Sequence, residues 1–268
     1  MGTSFTGRPW YDIHAQADDA VRVDILGPIG WEGTSATEFV ASLNELRGVG
    51  RIDVHLSSPG GAAFDGVTIY NNLRKHPAMI TMNVDGLAAS AASIIAMAGD
   101  EIIMNTGSMM MVHNGRGAVL GGDAEDFRAA AVMLDEVNAS MADIYARRAG
   151  GTTADWLAVM ASERWFRADA AVSAGLADRV DDDSSSRTDD DEMKAAIEWG
   201  RTVLGYRGPE PGYLIPEGVR SDLLDIAALV STPKPDPDPL AALAAWSPPD
   251  PPDYIAQLAA MANDRKVS

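Results

Sequence analysis

Cysteine is absent from this chain of 268 residues. That excludes disulfides, thiolate metal sites and a cysteine nucleophile, and it fits a reducing compartment such as the cytosol. Histidine is scarce, with four in the whole sequence. Scattered and without cysteine to join them, they predict no metal site. No apolar run is long enough to span a membrane, and Met1 to Pro9 lacks the apolar core of a signal peptide. Basic residues are outnumbered, 21 Lys and Arg against 39 Asp and Glu, for a net charge of −18. That balance repels nucleic acid, and no local basic patch offsets it. Much of the acidity is gathered in Asp181-Asp182-Asp183 and Asp189-Asp190-Asp191-Glu192, the pattern of a solvated linker.

What is present is an ordinary globular core, with 46% apolar residues. Val21–Leu26 alternates with period two and predicts a strand. Ser35-Ala36-Thr37-Glu38 has capping-box spacing, and Phe39, Val40, Leu43 and Leu46 then recur at helical spacing. Ile52, Val54 and Leu56 mark a second strand, Val67 to Leu73 a helix, and Met79–Val84 a third strand. Glu101–Met104 and Met109–His113 are further strand candidates. Strand and helix in alternation predict a mostly parallel sheet with helices packed on it. From Gly122 to about Arg148 the stripe Phe127, Ala130, Met133, Leu134, Val137, Met141, Ile144 predicts one helix roughly 35–40 Å long, long enough to project and pair with another subunit. Short helices are expected over Trp156–Met160 and Ala168–Ala174. The compact part ends near Val180. The expected organisation is an extension over 1–20, a compact main domain over 21–180, an acidic linker over 181–192 and a proline-punctuated, helix-prone tail over 193–268. The tail has two readings: a flexible arm of docking segments, or pieces that pack back onto the main domain.

The chemistry gathers at Asp85-Gly86-Leu87-Ala88-Ala89-Ser90-Ala91-Ala92-Ser93, which follows a predicted strand and opens an apolar helical run. A serine at such a turn, flanked by Gly and Ala, stands at a helix N-terminus where free amides and partial positive charge suit a nucleophile and its oxyanion. Ser93 is a rival, one turn further in. His113 ends an apolar strand and leaves by Asn114-Gly115-Arg116-Gly117, as a base would. Ser58-Pro59-Gly60-Gly61 supplies a Gly pair whose amides can approach a ligand closely. The carboxylate that would orient the imidazole has many candidates in so acidic a chain.

In Ser58-Pro59-Gly60-Gly61, Gly86 to Ser93, Met111-Val112-His113-Asn114, and Trp165-Phe166 followed by Ala170-Ala171-Val172 and Gly175-Leu176-Ala177-Asp178, the chain resembles the Clp protease proteolytic subunit (ClpP) family. It looks most like the phage and prophage branch tied to head maturation. The likeness runs in order from about Val21 to Val180, and the ordered combination is what makes it specific. It implies an α/β fold, the spiral of repeated strand–strand–helix units shared with the crotonases, with a projecting handle helix and a flexible proline-rich tail outside the match. Ser90 then matches the nucleophile and His113 the base, with oxyanion donors at the amides of Gly60 and Ala91. The family's third residue is usually an aspartate. Here Glu163 stands in its place, a departure whose extra methylene changes the reach, and Asp169 is the fallback.

The resemblance further implies a serine endopeptidase without cofactor or metal, acting on unfolded or capsid and scaffold polypeptides. It implies a homo-oligomeric ring, heptameric or of stacked heptamers, and a possible ATP-dependent unfoldase as partner. Nucleic acid and membrane are not expected partners. The expected location is the cytoplasm of a bacterial or phage-infected cell, or the inside of a procapsid. Three other readings compete: a housekeeping or accessory Clp peptidase subunit, an inactive ring scaffold, and a crotonase-type acyl-CoA enzyme that would leave Ser90 and His113 unexplained.

Overall fold

The computed structural model describes residues 10–16, 19–30, 35–181 and 190–208. Among them, the strands form one eight-stranded sheet. β1 (Tyr11–Ala15), β2 (Ala20–Leu26), β3 (Arg51–Ser58), β4 (Met79–Ala89), β5 (Glu101–Asn105) and β8 (Arg179–Asp181) lie side by side in that order. β2, β3, β4, β5 and β8 run parallel, while β1 pairs antiparallel with β2. The helices α1 (Ala36–Glu45), α2 (Ala63–Arg74) and α3 (Ala91–Ala96) connect successive parallel strands, as parallel pairing requires.

Strand alternation explains which face is covered. Along β3, Ile52, Val54 and Leu56 are buried while Arg51, Asp53 and His55 turn the other way. Val23, Ile25, Ile80, Met82, Val84, Ile102 and Met104 extend the same apolar layer. Phe39 and Leu43 of α1, Ile69 and Leu73 of α2 and Ile94 and Ile95 of α3 close over it. Burying each such side chain stabilises the fold by about 1.5–3 kcal/mol. The capping box expected at Ser35 and Glu38 is formed.

β4 is the element that positions the site. Its first half pairs with β3 and β5; over Leu87–Ala89, β6 (Met109–Val112) takes the place of β5, while β3 stays paired through Ser58 and Ala88. The sheet therefore branches, and β6 carries β7 (Arg164–Arg167) antiparallel on its far side. The bulge between Leu56 and Ser58 in the pairing of β3 with β4 marks the same departure.

The long helix is α4 (Ala124–Ala149), capped by Asp123 and Asp126. Its second half is seated by Met141, Ile144 and Tyr145, whereas Phe127, Val132 and Met133 in its first half are exposed. α5 (Thr153–Ala161) and α6 (Ala168–Ser173) complete the packing. Two boundaries differ from expectation. The stretch 1–20 contributes β1 to the sheet, because Tyr11 to Ala15 find partners in Ile25 to Val21. The acidic stretch 181–192 ends in the start of α7 (Asp190–Val203), which packs against β4. The later proline-separated pieces of the tail lie outside the described residues.

α3 and α4 are joined by one buried pair. Ser93 Oγ donates to Ser90 O at 2.6 Å, so its 2.7 Å contact with Tyr145 takes the phenol as donor. Ser93→Ala leaves a fully buried phenol without an acceptor and should cost about 1–3 kcal/mol in urea unfolding. Tyr145→Phe removes only the donor and should cost less. Adding Tyr145→Phe to Ser93→Ala should recover part of the loss, and strict additivity would contradict the pairing.

Candidate active site

Ser90 sits between β4 and α3 with φ 54° and ψ −121°, a left-handed conformation uncommon outside glycine. Such a residue costs about 1–3 kcal/mol and persists only where its surroundings hold it. Its N–H donates to Met111 O of β6 at 2.9 Å, and its carbonyl accepts from Ser93 N at 2.9 Å and from Ser93 Oγ. Both ends of the residue are thus fixed, and the hydroxyl is left to project. Ser93 is fully buried and engaged in that support, so the rival serine holds the turn from below.

β6 delivers His113 to the same place. His113 Nε2 lies 2.8 Å from Ser90 Oγ. With the serine proton on that bond, Nε2 is the acceptor and the ring proton sits on Nδ1. The exit from His113 is held at two points: Asn114 N donates to Met160 O, and Gly115 N to the buried Asn138 Oδ1 at 2.7 Å. Burial lowers the imidazole pKa from 6.5 to about 4, and the nearby Arg116 cation pushes in the same direction. The ring is therefore neutral at pH 7 and able to take a proton.

The Gly pair lies against this turn. At Gly60, with φ 91°, an added Cβ would fall 2.5 Å from Ala89 O and 2.9 Å from Ser90 Cβ, so glycine alone allows the approach. Gly60 N–H donates to Ser58 Oγ at 3.1 Å, and Ser58 Oγ donates to Gly27 O at 2.6 Å. Ala91 N–H, the first of α3, has no acceptor within its own helix.

Glu163 is held elsewhere. It too has positive φ, 53°, and its carboxylate is buried. Oε1 accepts from Trp165 Nε1 at 3.2 Å, from Arg207 N at 2.8 Å and from Gly208 N at 3.0 Å. Oε2 accepts from Arg116 Nη2 at 3.2 Å. These partners account for a carboxylate away from water, and none of them is His113. Asp169 is exposed in the first turn of α6. The structure thus joins Ser90 and His113, sets Gly60 and Ala91 around them, and gives Glu163 other partners.

Two further residues meet at the site. Arg116 lies in the glycine-rich exit from His113 and pairs with Glu163. Tyr206 stands in the tail, yet its ring meets the His113 ring edge-on at 5.0 Å. Its hydroxyl donates to Pro59 O at 2.5 Å, beside Gly60. Nothing local in the sequence around Tyr206 points to that contact.

A model of the Clp protease family matches residues 6–184. The ATP-dependent Clp protease proteolytic subunit 3 of Rhodococcus jostii is 30% identical over 131 residues, covering 48% of this chain and 64% of that protein. Subunit 1 of Leifsonia xyli subsp. xyli is 28% identical over 131 residues, covering 48% and 66%. The chain thus spans a little under two thirds of the length of these two relatives. The proteolytic subunit of Deinococcus radiodurans is 26% identical over 181 residues, covering 66% and 87%. Among solved structures, a point mutant of ClpP1 from Listeria monocytogenes superposes with a TM-score of 0.54 at 17% identity, covering 62% of this chain and 93% of that one. That likeness supports the α/β fold implied by the sequence motifs.

The burial of His113 has a sign that can be checked. Between pH 6.5 and about 4 the unfolded chain binds a proton that the native chain does not, so stability falls as the pH drops through that window. The His113 Cε1 proton should titrate in NMR with a midpoint near 4 in the intact chain. A midpoint of about 6 or above would mean a solvated ring and overturn this account.

Proposed function

The chain belongs to the Clp protease family, and from that premise we propose that it is a serine endopeptidase with Ser90 as nucleophile and His113 as general base. The observation that carries this is the 2.8 Å contact between Ser90 Oγ and His113 Nε2, on a serine whose backbone is held in the left-handed region. Ser90 Oγ attacks the scissile carbonyl carbon while its proton passes to Nε2. The carbonyl electron pair moves to oxygen, and the oxyanion is met by the amides of Ala91 and Gly60, the latter after leaving Ser58 Oγ. His113 then protonates the departing amine. Water, deprotonated by the same nitrogen, releases the acyl group and restores Ser90. Glu163 is the third member in this proposal. To orient Nδ1–H it must exchange present donors for the imidazole.

Fluorophosphonate labelling tests the nucleophile. The adduct should map to Ser90 by mass spectrometry and be absent from Ser90→Ala. His113→Ala should lower peptide hydrolysis by about 10²–10⁴-fold, and Glu163→Gln by less. Activity retained in Ser90→Ala would exclude the mechanism.

The finer reading is that the substrates are capsid and scaffold proteins cut during phage head maturation, in the cytoplasm or inside the procapsid. The proline-punctuated extension beyond the family match supports it. A second reading, an accessory subunit working with an ATP-driven unfoldase, is favoured by the relatives' own names. Purified scaffold protein cleaved without ATP would favour the first. Degradation that occurs only with an unfoldase would favour the second.

In either case the chain acts as a homo-oligomeric ring, heptameric or of stacked heptamers, whose rings meet through the first half of α4. Phe127, Val132 and Met133 support this, since these residues are 55–62% exposed on the long helix. Phe127→Glu combined with Met133→Glu should lower the mass seen in sedimentation velocity without changing the fold. An unchanged assembly would remove α4 from the interface.

A further inference from the structure

Residues 190–208 do more than extend the fold. Ala196 and Tyr206 are as buried as core residues, and with Leu87, Ala89, Met111 and Trp165 they form a hydrophobic cluster separate from the main core. α7 ends in a tight turn: Leu204 N and Tyr206 N both return to Gly200 O, at 3.0 and 3.1 Å, around Gly205 at φ 68°. The turn throws the Tyr206 ring back between α7 and the catalytic pair, where it meets His113 at 5.0 Å and Trp165 at 6.5 Å. A Cβ on Gly200 would fall 2.5 Å from Tyr206 Cδ2, so the absence of a side chain at 200 lets the ring lie there.

The backbone around Tyr206 is gripped from both sides. Arg116 Nη1 accepts no proton but donates to Leu204 O at 2.9 Å and also to Gly205 O. Glu163 Oε1 accepts from Arg207 N and Gly208 N. A guanidinium holding carbonyls and a carboxylate holding amides, a few residues apart, is a clamp for a polypeptide backbone. Resting on the peptidase reading above, we propose that residues 190–208 are an intramolecular plug: Tyr206 fills the substrate groove beside Ser90 and His113, and Arg116 and Glu163 clamp the backbone around it. The pocket takes an aromatic side chain of a polypeptide, and this chain supplies its own.

The pose is that of an inhibitor rather than a substrate. The group that faces the catalytic pair is a phenol, which has no scissile carbonyl. The carbonyls of Leu204 and Gly205 point to Arg116 instead. The clamp also draws on Glu163, so while the plug is seated the proposed orienting carboxylate is committed to Arg207 and Gly208. Release of the segment would clear the groove and remove the Arg207 and Gly208 donors from Glu163 in one event, leaving it with Arg116 and Trp165.

The absence of cysteine permits a test that does not depend on catalysis. Ser90→Cys in the full chain places a single thiol at the catalytic position, and its alkylation rate by iodoacetamide reads how open the groove is. Adding Tyr206→Ala should raise that rate by about tenfold or more. Gly200→Ala, which keeps the tyrosine and displaces its ring, should act in the same direction. Equal rates in all three chains would overturn the plug. Hydrolysis of a fluorogenic peptide is measured in parallel on chains that retain Ser90. Faster alkylation with no hydrolysis in Tyr206→Ala would keep the plug and refute the peptidase reading. Hydrolysis by the unaltered chain that Tyr206→Ala leaves unchanged, with equal alkylation, would keep the peptidase reading and refute the plug.

Discussion

The backbone at Ser90 is the point on which the rest of the site depends. A left-handed residue that is not glycine does not hold itself. Here the N–H is tied to β6 through Met111 O and the carbonyl to α3 through Ser93, whose hydroxyl is braced in turn by Tyr145 of α4. β6 reaches Ser90 because β4 exchanges β5 for β6 over its last residues. The same branch brings His113, at the end of β6, to within 2.8 Å of the serine hydroxyl. Gly60 closes the arrangement from the other side, where any side chain would collide with the turn.

The charges at the site are few and strongly coupled. The Glu163 carboxylate is almost fully buried and is satisfied by one guanidinium, one indole and two backbone amides. Removing a partner from a buried carboxylate leaves a charge poorly compensated, which costs several kcal/mol. Arg116 serves two ends of this system, since it pairs with Glu163 and adds to the burial that lowers the His113 pKa. Two of the donors to Glu163 come from the segment after α7, so the electrostatics of the site and the placement of that segment are one problem.

How much of this was legible depends on the range of the interactions. The central strands and α1, α2 and α4 follow from period and capping, because each carries its own buried face. β1 and β7 do not. Tyr11–Ala15 becomes a strand by pairing with β2, and the four residues Arg164–Arg167, with arginine at both ends, become one by pairing with β6. The acidic run before residue 193 reads as a linker, yet Asp190 to Glu192 open α7. Within the site, Ser90, His113 and Gly60 announce themselves by small neighbours and strand ends. Arg116 and Tyr206 carry no such local mark.

The sequence by itself determined the alternation of strands and helices, the family and the residues offered for chemistry, because these rest on short-range patterns of apolar, small and polar side chains. Tertiary structure alone decided which of those residues meet. It joined Ser90 to His113 across a branch in the sheet and turned Glu163 toward Arg116 and the segment after α7. It also laid Tyr206, more than ninety residues beyond His113 in the chain, against the catalytic pair. Such contacts arise from the closing of long loops around a shared core, and no local pattern of residues encodes them.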